Sequence, residues 1–137
     1  MNKALILLIM VLGIRVAQCQ TLSIGDRLPD EIIRQSKTIR SGIHKLTLLD
    51  FWSHGCGSCV ESFPKLNNLS ELFGNDLNIV FVNHESKDST EHFLTMRKWI
   101  EKPRTEMISG DKVIRNYFSF TGVPFVVWLD KDLYIRA

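Results

Sequence analysis

Cysteine is scarce in this sequence: three residues in 137, at positions 19, 56 and 59. Two of them form its Cys-x-x-Cys pair, within FWSHGCGSCVESFP at 51–64. There is no second such pair. Zinc or copper would therefore have to use His54, Cys56, Cys59 and His84, and the plainer reading is two solvated loop histidines. Haem attachment needs a histidine directly after the pair, and Val60 stands there. The close pair also argues against a peroxidase built on one exposed cysteine. Low-complexity tracts, long runs of like charge and internal repeats are all missing. The length suits one domain. Hydrophobic content of 45% and charge of 23% are ordinary for a globular chain.

A membrane-spanning run is missing too. The longest apolar stretch, ALILLIMVLGI after Lys3, has eleven residues and would rise about 16 Å as a helix. A positive start, a short apolar run and then small residues describe a secretory signal. Cleavage after Cys19 would put Ala17 and Cys19 at the positions that want small side chains. Residues 1–19 are thus expected to be a signal peptide and 20–137 the domain. The competing reading, a buried N-terminal helix or strand, lacks an amphipathic period. Lipid attachment at Cys19 is a lesser alternative, because Gln18 is not the small residue such a signal requires. A soluble product without stable membrane insertion is expected. Removing Lys3 and Arg15 from the 17 basic residues leaves 15, against 15 acidic ones. That balance gives no reason to expect nucleic acid or an anionic membrane as partner. An oxidising compartment leaves Cys56 and Cys59 free to cycle or to lock.

Residues 21–35, TLSIGDRLPDEIIRQ, read as an extended lead-in with at most one short strand. Leu46–Trp52 is a nearly continuous apolar run, suited to a central strand buried on both faces. Over 56–74, Val60, Phe63, Leu66, Leu69, Leu72 and Phe73 recur at helical spacing, with Pro64 as a kink and Gly74 as a stop. Ile79–Val82 is the core of a second strand. A second helix is predicted over 88–101, capped by Asp88 or Ser89 and ended by Pro103. Phe93, Met96, Trp99 and Ile100 would be its buried stripe. A short strand within 104–109, a short helix over 111–118, a strong strand over 121–130 and a short antiparallel strand at 133–136 follow. Trp52 and Trp128 are expected in the core. This order predicts an α/β fold: a parallel sheet with right-handed crossovers, made mixed by a terminal hairpin.

The cysteine pair falls where a buried strand hands over to a helix. Cys56 should sit at or just before the first helical turn, where free N–H groups and the helix dipole favour a thiolate. Cys59, one turn on, should point inward. An exposed attacking sulfur beside a shielded resolving one is what thiol–disulfide exchange needs. DFWSHGCGSC resembles the active-site stretch of thioredoxin-fold proteins. Residues 22–136 are similar to an exported branch of that fold, the TlpA/ResA-like thiol–disulfide oxidoreductases of bacteria. IGDRLPD, the DFW strand, Cys56-x-x-Cys59, Pro64 and Gly122-Val123-Pro124 carry the resemblance.

The resemblance implies a thioredoxin-like three-layer sandwich and a Cys56–Cys59 disulfide, with Cys56 as nucleophile and Cys59 as resolving thiol. Pro124 matches a cis-proline that packs against the disulfide, and Val123 would lend backbone groups to a substrate segment. Asp50 matches a buried acid. Burial should raise its pKa and let it take the Cys59 proton through water. Trp52, Gly55, Gly57 and Ser58 complete the expected substrate-binding surface. No cofactor is implied beyond the cysteines. The implied partners are disulfide-containing proteins and a membrane thiol-relay electron donor, the implied location is the periplasm or cell envelope, and reduction is the favoured direction.

Three positions depart from the family pattern. Gly55 stands in place of a tryptophan, Gly57-Ser58 in place of a Gly-Pro type dipeptide, and Ser62, beside Glu61, in place of a glutamate. Gly55 should open the site to bulkier substrates, and Asp50 rather than Glu61 is the expected acid. The chain stops at Arg136-Ala137, where such domains continue into a C-terminal helix. A truncated domain lacking that helix is expected, with apolar surface of FVVWLDKDLYI left open. The alternatives are a non-catalytic interaction module with a static cysteine bond, and a metal-binding protein using His54, Cys56 and Cys59.

Overall fold

The computed structural model describes residues 21–137; the expected signal peptide and Cys19 lie outside the described residues. The apolar run Leu46–Phe51 forms strand β1, with every residue after Leu46 buried. It pairs in parallel with β2 (Leu77–Val82) and antiparallel with β4 (Phe125–Asp130). Strand β3 (Glu106–Ile108) adds in parallel to β2, giving the order β3-β2-β1-β4. Helix α2 (Gly57–Phe73) links β1 to β2, and α3 (Lys87–Met96) links β2 to β3. Both crossovers step the same way along the sheet, so right-handed connections place both helices on one face. On that face Leu48, Trp52 and Phe81 pack with Cys59, Phe63 and Phe93. On the other, Leu49, Phe51 and Val80 pack with Leu28, Ile32 and Ile114. The result is the expected three-layer α/β sandwich with a mixed sheet.

The lead-in is not wholly extended. Asp30–Gln35 forms helix α1, entered from Pro29 at φ −62°. That fixed φ suits a helix start, Asp30 and Glu31 sit at the positive end, Arg34 at the negative end, and Ile32 is buried. Glu106 then holds the following loop. It accepts from the Lys37 amide, the Thr38 amide and the Thr38 hydroxyl at 2.6–3.1 Å, and from Ser36 Oγ.

Helix α3 is shorter than its periodicity predicts. Its cap is Ser86, whose hydroxyl accepts from the Ser89 amide at 3.2 Å, rather than Asp88 or Ser89. Arg97 leaves the helix at φ −100° and ψ 73°. Past that point helical phase no longer decides burial. Phe93 and Ile100 are buried, whereas Met96 is exposed and Trp99, expected in the core, is 77% exposed. Asn67 of α2 captures the segment beyond. It donates to Glu101 Oε1 and the Lys102 carbonyl and accepts from the Arg104 amide, all at 2.9 Å.

Helix α2 continues through Pro64 and stops at Gly74, φ 51°. The short helix expected over 111–118 is a 3-10 turn at Ile114–Tyr117. The last strand is reduced to isolated bridges, Leu129 to Ile135 and Arg27 to Tyr134, because Leu133 at φ 66° interrupts the extended path. The lead-in closes the other side of this tail: the Gly25 and Leu28 amides donate to the Ile135 and Leu133 carbonyls at 2.8 Å. Along β4, Val127 and Leu129 are buried while Trp128 is 37% exposed. Trp128 is therefore half-exposed rather than core. It lies opposite Leu48 on the α2 side of the sheet, on a face of β4 where Val126 is exposed too, although the tail pairs with its amide and carbonyl at 2.8 Å.

Phe63 has no exposed surface and meets Trp52 and Phe81 edge-on, at 5.1 and 5.2 Å between ring centres. Phe63→Ala should cost about 3–5 kcal/mol in urea unfolding, and Trp99→Ser no more than about 0.5 kcal/mol. The reverse order would contradict this placement of α3.

Candidate active site

The site grows from the carboxyl end of β1. The Trp52 amide donates to the Val82 carbonyl at 3.0 Å, carrying the β1–β2 pairing one residue beyond the strand. A turn follows, closed by the Cys56 amide on the Ser53 carbonyl at 3.1 Å. Cys56 is then the N-cap of α2, and its sulfur accepts the Cys59 amide at 3.2 Å, with Ser58 Oγ 3.6 Å away. A helix N-terminus offers such amides and a positive dipole end, which favour a thiolate when the bond is reduced. Cys56 and Cys59 form a disulfide, with S–S 2.03 Å and Cα–Cα 5.3 Å. Cys56 is not the exposed residue expected: both cysteines are buried in the oxidised form, Cys56 at 9% exposure and Cys59 at 1%, because Cys56 packs into the same core as Trp52 and Phe63. Gly55, Gly57 and Ser58 are exposed around them. A side-chain carbon added at Gly55 or Gly57 would meet no atom within 4 Å.

The Val123–Pro124 peptide is cis, as the resemblance implied. Sheet register places it: Phe51 pairs with Val82 on one side and Phe125 on the other. The start of β4 therefore lies at the same sheet end as Trp52–Cys56. Val123 is partly buried and packs against both cores, while Pro124 and Gly122 are exposed.

Asp50 is 3% exposed. Strand alternation puts it on the α2 side with Leu48 and Trp52, the side on which Cys59 packs. Its Oδ2 has no hydrogen-bond partner among the described residues. Burial without compensation pushes its pKa from 3.8 up to about 7. Glu61 is exposed on α2, and the Ser62 hydroxyl donates to the Cys59 carbonyl at 2.6 Å. Trp52 is 1% exposed and stands edge-on to Phe63, so it is a wall beneath the disulfide.

His54 is not the solvated histidine expected. Its ring stacks on Phe93 at 4.2 Å and 11°, and the Arg97 guanidinium carbon lies 4.1 Å over the same ring. Two groups that close fit only on opposite faces. The His54 amide donates to Glu85 Oε1 at 2.9 Å, and His84 Nδ1 lies 3.7 Å from Glu85 Oε2. Among the described residues no three His, Cys, Asp or Glu side chains are grouped to hold a metal ion. Sequence reasoning missed Glu85 and the support role of Phe93. The helical stripe marked Phe93 only as core, and nothing local marks Glu85.

A buried strand, a capped Cys-x-x-Cys at the next helix start and a cis-proline at the same sheet end define a thioredoxin-fold protein with a redox-type cysteine pair. A family model described as thioredoxin-like matches residues 42–135, and the chain belongs to that family. A comparison by sequence with curated proteins gives no match. Several solved structures share the fold. The thiol:disulfide interchange protein assignment DsbE from Chlorobium tepidum has TM-score 0.67 at 19% identity, covering 85% of this chain and 84% of that one. The thioredoxin domain of a Bacteroides vulgatus thiol–disulfide oxidoreductase has TM-score 0.62 at 19% identity, covering 85% and 88%. StoA from Bacillus subtilis has TM-score 0.57 at 17% identity, covering 72% and 73%.

The Asp50 carboxyl sets a sign for stability against pH. Its folded pKa, about 7, lies above its ordinary 3.8, so the folded state holds the proton more tightly. Its contribution is complete below about pH 4 and is lost as pH rises through 7, by at most about 4 kcal/mol. Asp50→Asn in the oxidised protein should remove that slope, so its gain over wild type should grow between pH 5 and pH 8. Urea unfolding at the two pH values reads this, and a pH-independent difference would refute it.

Proposed function

We propose that the chain is an exported thiol–disulfide oxidoreductase that reduces protein disulfides and is recharged by a membrane thiol-relay donor. The observation that carries the reading is the Cys56–Cys59 pair at a helix N-terminus: Cys56 caps the helix at 9% exposure, and Cys59, one turn on, is more deeply buried at 1%. In the reduced protein the Cys56 thiolate attacks one sulfur of a substrate disulfide. That S–S bond breaks, and the other substrate sulfur leaves as a thiolate and takes up a proton. Cys59 then loses its proton to Asp50, directly or through water, and attacks the Cys56 sulfur. The mixed disulfide breaks, the second substrate thiol leaves, and the Cys56–Cys59 bond closes. Two electrons pass to the substrate and come back from the donor.

The flanking residues suit this sequence of steps. Exposed Gly55, Gly57 and Ser58 leave room over Cys56, and Val123 presents backbone groups beside it. Trp52 serves as a wall rather than a contact. Asp50, with a pKa near 7, can both accept and release a proton at neutral pH. Export is supported by the pattern of residues 1–19 and by the family resemblance. No described helix is long and apolar enough to cross a membrane.

The test is cleavage of a peptide disulfide by the reduced protein, with products separated by mass. Wild type should yield two peptide thiols per protein disulfide formed. Cys56→Ser should be inactive, and Cys59→Ser should accumulate the mixed disulfide. A midpoint against glutathione near or below about −230 mV supports a reductant, and one near −120 mV would overturn that direction. Asp50→Asn should slow resolution of the mixed disulfide about 10²-fold without slowing its formation. The wild-type resolution rate should rise as pH passes through 7, and the variant should lose that inflection.

A further inference from the structure

The turn that delivers Cys56 has few ties. The Trp52 amide enters it on the Val82 carbonyl, and the Cys56 amide closes it on the Ser53 carbonyl. Between these two, among the described residues, the backbone of 53–55 makes one hydrogen bond to another part of the chain. The His54 amide donates to Glu85 Oε1 at 2.9 Å.

Glu85 stands on a fixed base. It follows β2 by three residues, and Asn83 before it is tied on both sides. The Asn83 amide donates to the Ile108 carbonyl at 3.0 Å, and its carbonyl accepts from the Asp111 amide at 2.8 Å. Ser86, directly after Glu85, caps α3. The Glu85 side chain is 17% exposed. Its Oε2 is buried and has no hydrogen-bond partner among the described residues. His84 Nδ1, at 3.7 Å, is too far for a hydrogen bond. The carboxylate has thus exchanged much of its water for one amide of the turn, which costs stability. An ionised acceptor in turn makes a stronger bond to that amide than a neutral one.

The turn sets how the chain enters α2. Cys56 caps that helix at φ −94° and ψ 93°, which places its sulfur 3.2 Å from the Cys59 amide. In the oxidised protein the disulfide holds the sulfur there in any case. In the reduced protein that bond is gone. The sulfur then keeps its place on the helix N-terminus only as well as the turn is held, and the helix effect on a thiolate fades within one turn.

We propose that Glu85 is a positioning residue for Cys56. By holding the His54 amide it keeps the reduced Cys56 sulfur on the Cys59 amide, and so sustains the thiolate and its rate of attack. Glu85 acts through the turn and takes no part in bond exchange. The inference rests on the oxidoreductase reading and adds to it a residue outside the cysteine motif.

The test uses the full chain, reduced and freed of reductant. One reading is the pH profile of Cys56 alkylation by iodoacetamide, with the labelled peptide identified by mass. The other is the rate of attack on 2-hydroxyethyl disulfide. Glu85→Gln keeps an acceptor oxygen at the same reach and should stay within about threefold of wild type. Glu85→Ala removes the acceptor. Glu85→Asp keeps the charge but draws it back by one C–C bond. Both should raise the Cys56 thiol pKa by about 1 and slow attack at neutral pH about tenfold. Urea unfolding of the oxidised forms identifies the folded variants, and Glu85→Asp carries the test if Glu85→Ala does not fold. A wild-type pKa and rate in Glu85→Asp, or a Glu85→Gln as impaired as Glu85→Ala, would overturn the positioning role alone. Failure of wild type to react with any disulfide would overturn the oxidoreductase reading and this inference with it.

Discussion

Strand β1 is hydrogen-bonded along both edges and buried on both faces. Side chains alternate along a strand, so a slip of one residue would move Asp50 from the α2 side to the opposite core. Two-sided pairing forbids that slip, because both neighbours would have to move with it. The same register aligns three chain segments at one end of the sheet. Phe51 faces Val82 and Phe125, so the end of β1, the end of β2 and the start of β4 meet there. From the first comes the Cys56 turn, from the second Asn83–Glu85, and leading into the third the cis Val123–Pro124 bond. The candidate site is thus a consequence of strand pairing before any of its side chains makes a contact of its own.

The turn between β1 and α2 needs further support, since Ser53–Gly55 has little side chain to bury. The Trp52 amide anchors it to β2, the His54 amide to Glu85, and the Cys56 amide to Ser53. His54 adds a side-chain anchor by stacking on Phe93. Arg97 covers the far side of that ring at the point where α3 ends. An aromatic stack contributes about 0.5–1.5 kcal/mol beyond burial, enough to bias a short turn without rigidifying the surface. Cys56 is held at the helix N-terminus by these contacts, while Gly55 and Gly57 leave the space above it open. A fixed sulfur under an open approach suits attack on disulfides of varied shape.

Much of this was legible in the sequence, and the division has a physical cause. Strands β1 and β2 and helix α2 are written in local apolar runs and periodicity, and Cys56 at the cap follows from where the strand ends. Asp50 stands inside an apolar run, so its burial could be expected; that Oδ2 goes unpartnered could not. The cis state of Pro124 came only through resemblance, because local sequence barely separates cis from trans. Failures cluster where distant residues decide. Trp99 keeps helical spacing with Phe93, yet Asn67, some thirty residues earlier, captures the segment after α3. Trp128 sits in a strong apolar strand, but its face of that strand is left uncovered, with Val126 exposed beside it. The lead-in read as extended, and instead Pro29 opens α1.

Asp50 also bears on the proposed direction of electron flow. Its carboxyl is buried without a full set of partners, so its ionised form is costly. Cys59 packs on the same side of the sheet, also buried, and its thiolate would be costly for the same reason. Reduced protein must hold Cys59 and Asp50 together with at least one proton between them, because two buried negative charges repel. Oxidation removes Cys59 from that competition, since a disulfide carries no charge. Rising pH therefore penalises the reduced pair and favours closure of the disulfide, which makes the dithiol a better electron donor. Cys56 works against this to a degree: the helix N-terminus stabilises its thiolate, and so the reduced form. Placing Asp50 in β1 thus puts a shielded acid and a shielded sulfur on the same side of the sheet, where they compete for one proton in the reduced protein.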